Sequence, residues 1–462
     1  MKLTKLRLDN FRCFEHLEIS LHPGLTVLVA ENGQGKSSVL DALRISLWPF
    51  VSSFDLARNA FNDPGNSLPV DDVRLLKKAE NDMVRQLPTE IALTGDFGAG
   101  SENTWVRYRD SETKRSKIKE KGDTSFLRQW ATAVQKQIRD PEAATLDLPV
   151  FGYYGTGRLW AQKRLTESSK GTDDTQSIDF YIRTFAYLNC LDPASSYKHF
   201  QEWFTLASQI YWEAVMKLLE GKGQESAVKA AEEPLLVVRQ AIDSLLQPST
   251  GWHNLEYSHS QEKSLILHHE QHGTLKVEVL SDGIRSVLAM IGDIAYRAYK
   301  LNPHQGTEAA REAHGVVLID EIDMHLHPTW QQRVLGQLQE AFPKIQFIVT
   351  THSPQVLTTV NSDHIRVLQF SEAGFEAKKP EFSPLAHESG DALTKIMGTH
   401  REPELPLQES IRSYEQMVRT GHENTSEAQK LRATLDQAGY QIHESDLMTW
   451  RFLAARKTGK AG

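Results

Sequence analysis

The sequence is poor in cysteine and has neither a long apolar run nor an excess of positive charge. Its 462 residues include two cysteines, Cys13 and Cys190, which are too few for a disulfide framework and lack the spacing of a metal site. No apolar run approaches the roughly 18 residues that span a bilayer. The first residues, MKLTKLRLD, lack the apolar core of a secretory signal. We therefore expect a cytoplasmic protein that does not bind a membrane.

The charge balance limits the partners that the chain can have. The formal net charge is −8 at pH 7, which argues against a globally basic nucleic-acid binder. Any contact with DNA would therefore use a local patch or a partner. Hydrophobic residues make up 40% of the chain and charged residues 24%, which are ordinary values for a globular protein.

A phosphate-binding loop is the strongest motif. Residues 30–37 (AENGQGKS) follow the apolar run 25–29 and precede a helical pattern with Leu40, Leu43 and Leu47 on one face. A strand, a glycine-rich turn that ends in Gly-Lys-Ser, and a helix form the context in which backbone N–H groups bind nucleotide phosphates. The alternative, an ordinary turn before a helix, is disfavoured by the lysine–serine pair and by both flanks.

The residue types of this loop predict their roles. Gly33 and Gly35 would let the backbone curl around a phosphate. Lys36 would reach the β- and γ-phosphates, and Ser37 would offer its hydroxyl to Mg²⁺. Ala30 stands where the strict pattern has glycine, and we interpret it as a variant that keeps the turn if its φ is negative.

A second motif lies at residues 316–321 (VVLIDE). Four apolar residues predict a buried parallel strand, and two carboxylates follow at its C-terminal end, where open α/β sheets bind ligands. Asp320 is placed to hold Mg²⁺, and Glu321 to orient and deprotonate an attacking water. The alternative is a strand that ends in a charged turn. His325 and His327 come shortly afterwards, but without a third candidate ligand they do not predict a metal site.

Two further segments could complete the site. Ser281, Asp282 and Gly283 open a helical pattern, which predicts either an ordinary N-cap or an anion-binding helix terminus. His352 follows the buried strand expected at residues 345–349 and could sense a γ-phosphate, although a lone histidine there is more often structural.

The remaining pattern predicts an α/β architecture. Residues 2–9 alternate as a half-buried strand does, residues 90–97 and 105–109 read as a hairpin, and residues 252–279 suggest a meander. Residues 179–246 are helical in pattern, but heptads are not sustained, so we expect no long coiled coil.

The order of these motifs resembles the ABC-type ATPases of the SMC, RecF and OLD group. The resemblance is carried by NFRCF at 10–14, ENGQGKS at 31–37, LSDG at 280–283, LIDE at 318–321 and THS at 351–353. More narrowly, residues 153–158 (YYGTGR) and 320–328 are similar to a bacterial branch of compact ATPases. That branch includes the ATPases of Septu antiphage systems, which work with an HNH-type nuclease, and related ATPases accompany retrons.

The resemblance implies an α/β fold of the ABC-type ATPase head. Such a head has a P-loop mixed sheet flanked by helices and antiparallel β-structure at the N-terminus, here with a helical insertion that lacks a long coiled coil. We expect an N-terminal lobe at residues 1–160, the helical insertion at 161–250, a C-terminal lobe at 251–390 and a helical, partner-binding tail at 391–462.

The resemblance also implies the ligands and the site residues. ABC heads bind two ATP molecules with Mg²⁺ between two subunits, each at the Walker A loop of one subunit and the signature helix of the other. The implied nucleotide-binding residues are Arg12, Asn32, Gly33, Gln34, Gly35, Lys36, Ser37, Ser38, Ser281, Asp282 and Gly283. Ser37 and Asp320 (Walker B) would bind the metal, and Glu321 and His352 (the switch histidine) would act in catalysis. Asp282 replaces the usual signature glycine, and Ile284 stands at the glutamine position.

Three functions remain in competition. The first is an ATPase that forms homo-oligomers through shared nucleotide sites and regulates an HNH nuclease in antiviral defence, with DNA contacted through the complex. The second is an OLD-type ATPase-nuclease, which would need a further acidic cluster after His352, where no Asp-x-Asp appears on a strand. The third is a RecF-like DNA repair ATPase, to which the acidic charge balance gives little support.

Overall fold

The computed structural model describes most of the chain. The described residues are 1–57, 64–80, 82–98, 100–114, 117–158, 182–193, 196–372, 374–400 and 405–458. They form two compact units, Met1–Met397 and Gly398–Gly462. Among the helices in these ranges, none combines the length and the apolar character that crossing a membrane requires. The four-region division expected from the sequence stays a prediction.

The first unit contains the described strands and most of the helices. The strands are β1 (Lys2–Phe11), β2 (Phe14–Ser20), β3 (Leu25–Val29), β4 (Leu75–Ala79), β5 (Asp82–Arg85), β6 (Thr89–Asp96), β7 (Asn103–Arg109), β8 (Lys119–Gly122), β9 (Val150–Tyr154), β10 (His253–Ser258), β11 (Ser264–His269), β12 (Gly273–Lys276), β13 (Gly315–Ile319), β14 (Ile345–Thr350), β15 (Ile365–Ser371) and β16 (Gly374–Lys378). The helices are α1 (Lys36–Val51), α2 (Thr124–Ile138), α3 (Ser196–Leu219), α4 (Glu225–Thr250), α5 (Asp282–Leu301), α6 (Ala309–Glu312), α7 (Pro328–Gln331), α8 (Val334–Ala341), α9 (Pro354–Leu357) and α10 (Ser389–Lys395).

The central sheet has the strand order β16-β15-β3-β14-β13-β9. All of its neighbouring strands are parallel except β16, which pairs antiparallel with β15. Strands β3, β9, β13 and β14 are buried along their whole length, as strands covered on both faces are. The carboxyl ends of these four parallel strands meet at one edge, where the phosphate-binding loop follows β3, Asp320 follows β13 and His352 lies just after β14.

The N-terminal sheet is antiparallel, in the order β2-β1-β6-β7-β8. The alternation that predicted a strand at residues 2–9 is present in β1, where Leu6 and Leu8 are buried. Strands β6 and β7 form the expected hairpin. Together with the central sheet, this confirms a P-loop mixed sheet with antiparallel β-structure at the N-terminus.

Helix α1 is buried on nearly all sides rather than along the single predicted face. Only Ser37, Ser38 and Asp41 of its residues escape burial. The helix contacts strands of both sheets, and the side chains of Trp105 and Arg107 donate hydrogen bonds to its backbone carbonyls. An all-round apolar helix is what a position between two sheets requires.

The helical insertion consists of α3 and α4, which pack on each other and on α5. The helical pattern of residues 179–246 begins before α3, the first helix of the insertion. A 3-10 turn at Arg183–Tyr187 precedes α3, and residues 179–181 lie outside the described ranges. The longest helix of the described chain is α4, with 26 residues, so the expectation of an insertion without a long coiled coil is confirmed there.

Two further expectations need correction. The meander is present as the antiparallel sheet β10-β11-β12, but Val277–Val279 form a 3-10 helix instead of continuing the strand. The sequence from Thr329 through Leu338 predicts one helix, but the structure interrupts it between α7 and α8. Trp330, before the break, and Arg333, within it, donate side-chain hydrogen bonds to carbonyls of the last turns of α4, and such tertiary contacts override helix propensity.

The second unit is helical, as expected for the tail. Its helices are α11 (Gln408–Arg419), α12 (Ser426–Gln437) and α13 (Glu444–Thr458). They enclose a small core of their own around Tyr414, Val418, Ala428, Leu435 and Trp450.

Candidate nucleotide site

The predicted phosphate-binding loop lies between β3 and α1. Gly33 and Gly35 have φ values of 82° and 87°, which favour glycine, whereas Ala30 is not among the residues with positive φ. Ala30 therefore meets the condition that its φ is not positive, so it can replace glycine at the start of the loop. A Cβ atom at Gly35 would also lie 2.3 Å from Cζ of Phe14 and 2.8 Å from Sγ of Cys13. Glycine is thus required at this position by space as well as by conformation, and the sequence indicated only the second reason.

Lys36 is folded over the loop. Its Nζ donates hydrogen bonds to the backbone carbonyls of Ala30 at 2.8 Å and Glu31 at 3.2 Å, and the residue is 7% exposed. Burial lowers the pKa of Lys36, while the negative charges of Asp320 and Glu321 oppose that shift. The two carbonyl dipoles compensate only part of the positive charge of the Lys36 ammonium group. A bound phosphate would supply a full opposite charge.

Asp320 joins the two principal motifs. Its Oδ2 accepts a hydrogen bond of 2.8 Å from Oγ of Ser37, and its Oδ1 accepts one of 2.6 Å from Oγ1 of Thr350. A hydroxyl and a carboxylate side by side are the hard oxygen donors that Mg²⁺ prefers. The residues present therefore fit a nucleotide with its Mg²⁺: a glycine cradle, a lysine, and a serine–aspartate pair at its end.

Gln34 gives a second sign that the loop fits a ligand. Its side-chain Oε1 is buried and has no hydrogen-bond partner among the described residues. Glu31, Asn32 and Gly33 before it are exposed, as is Ser37. An orphaned polar atom within a loop of otherwise accessible groups is expected where a ligand completes the hydrogen bonding.

Glu321 follows Asp320 in a left-handed conformation, with φ at 47°. Its backbone N–H donates a hydrogen bond of 2.8 Å to Oγ1 of Thr350, the same hydroxyl that serves Asp320. A non-glycine residue in this region of φ is strained, and such strain concentrates at functional sites. The Thr350 hydroxyl, which the sequence did not single out, therefore positions both carboxylate residues.

Asp323 connects the turn after Walker B to the predicted switch histidine. Its Oδ1 accepts a hydrogen bond of 2.6 Å from Oγ1 of Thr351 and a longer one, 3.4 Å, from the backbone N–H of His352. Gln331 accepts a further hydrogen bond of 2.7 Å from Oγ of Ser353. The place of Asp323, three residues after Asp320, was the only sequence signal for this role.

The signature helix begins as predicted, with Ser281 as its N-cap. Its Oγ accepts from the backbone N–H of Ile284 at 3.5 Å, and Asp282 pairs with Arg285, so the contacts described for both stay within the first turn of α5. Ser281 and Asp282 are exposed. Within this chain they are not joined to the Lys36 loop by any hydrogen bond of the described residues.

Gly283 is buried against the turn that follows Walker B. A Cβ atom there would lie 2.5 Å from the backbone oxygen of His325, which has a φ of 63°. His327 caps α7 by accepting from the backbone N–H of Thr329 at 3.3 Å. In the described part of the chain no group of three or more potential ligands is arranged for a metal ion.

Arg12 lies beside the loop but is held by two carboxylates. Its Nε donates to Oδ1 of Asp72 at 2.8 Å, and its Nη1 donates to Oδ2 of Asp41 at 2.6 Å and to Oγ of Ser38 at 3.3 Å. Arg12 and Ser38 are thus brought to the edge of the site. Contact of either residue with a nucleotide stays a prediction.

Comparison with known proteins adds two family matches. Residues 5–235, half of the chain, match the family model described as an AAA domain. Residues 217–358 match a second model, described as an AAA domain, putative AbiEii toxin, Type IV TA system. The two matches together include every predicted site residue.

Among curated relatives, the retron Vc95 probable ATPase of Vibrio cholerae is 25% identical, over 94% of this chain and 87% of its own length. The Septu protein PtuA of Bacillus thuringiensis is 20% identical, over 80% of this chain and 76% of its own. The SMC head domain from Thermotoga maritima aligns with a TM-score of 0.42 and 15% identity, over 83% of this chain and 100% of that chain. The expected likeness to Septu and retron-associated ATPases is thereby confirmed, and the chain belongs to the AAA domain family of ATPases.

Proposed function

We propose that the chain binds ATP with Mg²⁺ at the loop of residues 30–37, hydrolyses it between two subunits, and uses this cycle to regulate a partner nuclease of the HNH type in antiviral defence. The observation that carries the proposal is the hydrogen-bonded row of Ser37, Asp320 and Thr350, which joins Walker A, Walker B and the strand before His352. One relative of this chain is named as a retron ATPase and another as a Septu protein.

Each residue of the proposed site has its own chemical role. Lys36 would exchange its two carbonyl partners for the β- and γ-phosphates, and the backbone N–H groups of the loop would bind the same oxygens. Ser37 and Asp320 would hold Mg²⁺, which neutralises phosphate charge. Glu321 would accept the proton of the attacking water, and His352 would donate a hydrogen bond to the γ-phosphate.

The proposed sharing of the site between subunits is supported by the N-terminus of α5. Ser281 and Asp282 are exposed, and a helix N-terminus attracts phosphate through its free N–H groups. The carboxylate of Asp282 opposes that attraction, although its pairing with Arg285 reduces the effect. Closure of the dimer would then depend on the γ-phosphate, as a nucleotide-driven change of state requires.

The proposed partner contact involves the second unit. On α13, Met448 is 68% exposed and Phe452 is 66% exposed, and their spacing of four places both on one face of the helix. An apolar helix face of this kind suits an HNH nuclease subunit that presents an apolar surface. We propose that DNA is reached through that complex.

Mixing two inactive variants tests the shared site. Lys36→Ala removes the Walker A lysine of one subunit, and Ser281→Arg blocks the signature of the other. Under conditions of subunit exchange, each mixed dimer should regain up to about half the hydrolysis of a wild-type dimer, because one of its two composite sites is intact. A mixture of Lys36→Ala with Lys77→Ala, an exposed lysine outside the site, hydrolyses ATP with or without exchange and gives the reference activity. A mixture of Lys36→Ala with the double variant Lys36→Ala/Ser281→Arg should stay inactive, because exchange restores no intact site. Absence of regained hydrolysis in the first mixture would contradict the shared site.

A further inference from the structure

A buried network joins the middle of α5 to the end of β9. The hydroxyl of Tyr154 donates a hydrogen bond of 2.8 Å to Oδ2 of Asp293, and Nε of Arg297 donates another of 2.8 Å to the same oxygen. The three residues are at most 2% exposed. The contact is therefore a buried, charged hydrogen-bond network between a strand and a helix, not a surface ion pair.

The two ends of the network belong to different halves of the nucleotide site. The backbone carbonyl of Tyr154 accepts a hydrogen bond of 2.8 Å from the backbone N–H of Asp320, so β9 is fixed directly beside the Walker B carboxylate. Asp293 lies on the helix that Ser281 caps. Because an α-helix rises about 1.5 Å per residue, Ser281 is about 18 Å from Asp293 along one rigid element.

Residues 186–190, which precede α3, form hydrogen bonds with both β9 and α5. Nη1 of Arg297 donates hydrogen bonds to the backbone carbonyls of Ala186 and Leu188, the second at 3.3 Å. The backbone N–H of Tyr153 donates to the carbonyl of Cys190 at 3.0 Å. Strand β9, this segment and α5 thus form one hydrogen-bonded unit.

Charge makes the network sensitive to the loss of a single partner. Burial alone would lower the pKa of Arg297, but the attraction of Asp293 raises it, so the guanidinium is charged. Burial and the charge of Asp293 raise the pKa of Tyr154 well above its ordinary value, so its hydroxyl remains a donor. Oδ1 of Asp293 is buried without a hydrogen-bond partner in the described ranges. Removing the Tyr154 hydroxyl would therefore leave a buried carboxylate with Arg297 alone.

We infer that Tyr154 and Asp293 are positioning residues that hold α5 in register with the Walker B strand. In this role they present Ser281 to the nucleotide of the partner subunit when Asp320 and Glu321 of their own subunit are in place. The inference rests on the shared site proposed above. Since the hydrogen bonds described for these two side chains do not involve the nucleotide-binding loop, the network acts on turnover rather than on the affinity for ATP.

The variant Tyr154→Phe tests this role in the full chain, since it removes one hydroxyl and keeps the ring. We expect kcat to fall about tenfold, the size of one hydrogen bond to a charged group, with the dissociation constant for ATP within about twofold of the wild type. Ser208→Ala is the control, because Ser208 is also buried and its hydroxyl donates to the carbonyl of Phe204 within α3 at 2.8 Å. Equal falls of kcat in both variants, or a loss of ATP affinity without a fall in kcat, would overturn the inference.

A mixed dimer identifies which half of the site the network serves. In a purified dimer of a Ser281→Arg subunit and a Lys36→Ala subunit, the second supplies the only intact signature. Tyr154→Phe in that subunit should lower hydrolysis about tenfold, whereas in the Ser281→Arg subunit it should lower hydrolysis less than twofold. A misfolded variant would reduce hydrolysis equally in both arrangements, and that result would overturn the inference.

The two proposals fail in different ways. If the mixed dimer without Tyr154→Phe shows no hydrolysis, the shared site is wrong. If that dimer hydrolyses ATP and the loss follows the Ser281→Arg subunit instead, the shared site stands and the positioning role of Tyr154 and Asp293 is wrong.

Discussion

A hydrogen bond of 2.8 Å joins the hydroxyl of Ser37 to Oδ2 of Asp320, although the two residues are 283 positions apart in the sequence. It links the first turn of α1 to the end of β13, across the edge of the central sheet. The other carboxylate oxygen of Asp320 accepts from Thr350, at the end of the neighbouring strand β14. This carboxylate therefore joins the first turn of α1 to the ends of β13 and β14, so its replacement should affect all three elements.

Separate replacements of Asp320 and Glu321 should distinguish the residue needed for nucleotide binding from the one needed for hydrolysis. Asp320→Asn removes the charge that faces Mg²⁺, and we expect at least about tenfold weaker Mg²⁺-dependent ATP binding. Glu321→Gln keeps the shape of the residue but removes the proton acceptor, so kcat should fall about 100-fold or more while ATP remains bound. Calorimetry measures binding and phosphate release measures turnover. Equal loss of ATP affinity in both variants would contradict these separate roles.

Gly35→Ala should disrupt the loop far more than Gly33→Ala. Both residues have positive φ, so both variants carry the strain of a left-handed alanine, about 1–2 kcal/mol. Only at Gly35 would the added methyl group collide with Phe14 and Cys13, since nothing lies within 4 Å of a Cβ at Gly33. We expect Gly35→Ala to lose ATP binding and to have the lower melting temperature. Equal melting temperatures would show that Phe14 does not constrain the loop.

Thr351→Val tests how His352 is placed. The variant keeps the shape of the side chain but removes the hydroxyl that donates to Asp323 at 2.6 Å. We expect kcat to fall about tenfold with little change in KM, because the loop that carries His352 loses a hydrogen bond to the carboxylate of Asp323. Thr359→Val is the control, since its hydroxyl donates to a carbonyl within its own helical turn, that of Val356. Identical kinetics of the two variants would speak against a role for Asp323.

The pKa of His314 predicts an acid-sensitive contribution to stability. Burial, together with repulsion by the N-terminal amine, lowers this pKa from 6.5 to about 4. The unfolded chain then binds a proton that the folded chain does not, so stability falls as the pH falls from about 6.5 to 4. Because of His314, the free energy of unfolding of the wild type should be about 1–2 kcal/mol lower at pH 5 than at pH 7.5. The variant His314→Gln should not show this decrease. Melting temperatures at both pH values measure this, with the exposed His259→Gln as control. Parallel pH profiles of wild type and His314→Gln would contradict it.

The sequence predicted the parts of the site that are local in the chain. The loop of residues 30–37, the carboxylates after β13 and the Ser281 cap were recognisable because a strand or helix end and its chemical residues lie side by side. The rule that ligands bind at the carboxyl ends of parallel strands then placed the loop and the two carboxylates together, but it does not apply to the Ser281 cap.

What the sequence did not predict depends on tertiary contacts. Nothing near Thr350 indicates that its hydroxyl serves both Asp320 and the backbone of Glu321. Arg12 was expected to approach the nucleotide, but its carboxylate partners, Asp41 and Asp72, lie 29 and 60 residues away, so no local pattern could reveal them. The burial of α1 on all sides likewise follows from two sheets that meet only in the folded chain.

ATP binding to the full-length wild type and to Lys36→Ala, measured by isothermal titration calorimetry with Mg²⁺, tests the central claim most directly. Lys36 is buried, and its Nζ is fixed over the loop by the carbonyls of Ala30 and Glu31, so we expect its replacement to abolish detectable ATP binding. Lys77→Ala should bind ATP as the wild type does. An unchanged affinity for ATP in Lys36→Ala would contradict the assignment of residues 30–37 as the nucleotide-binding loop.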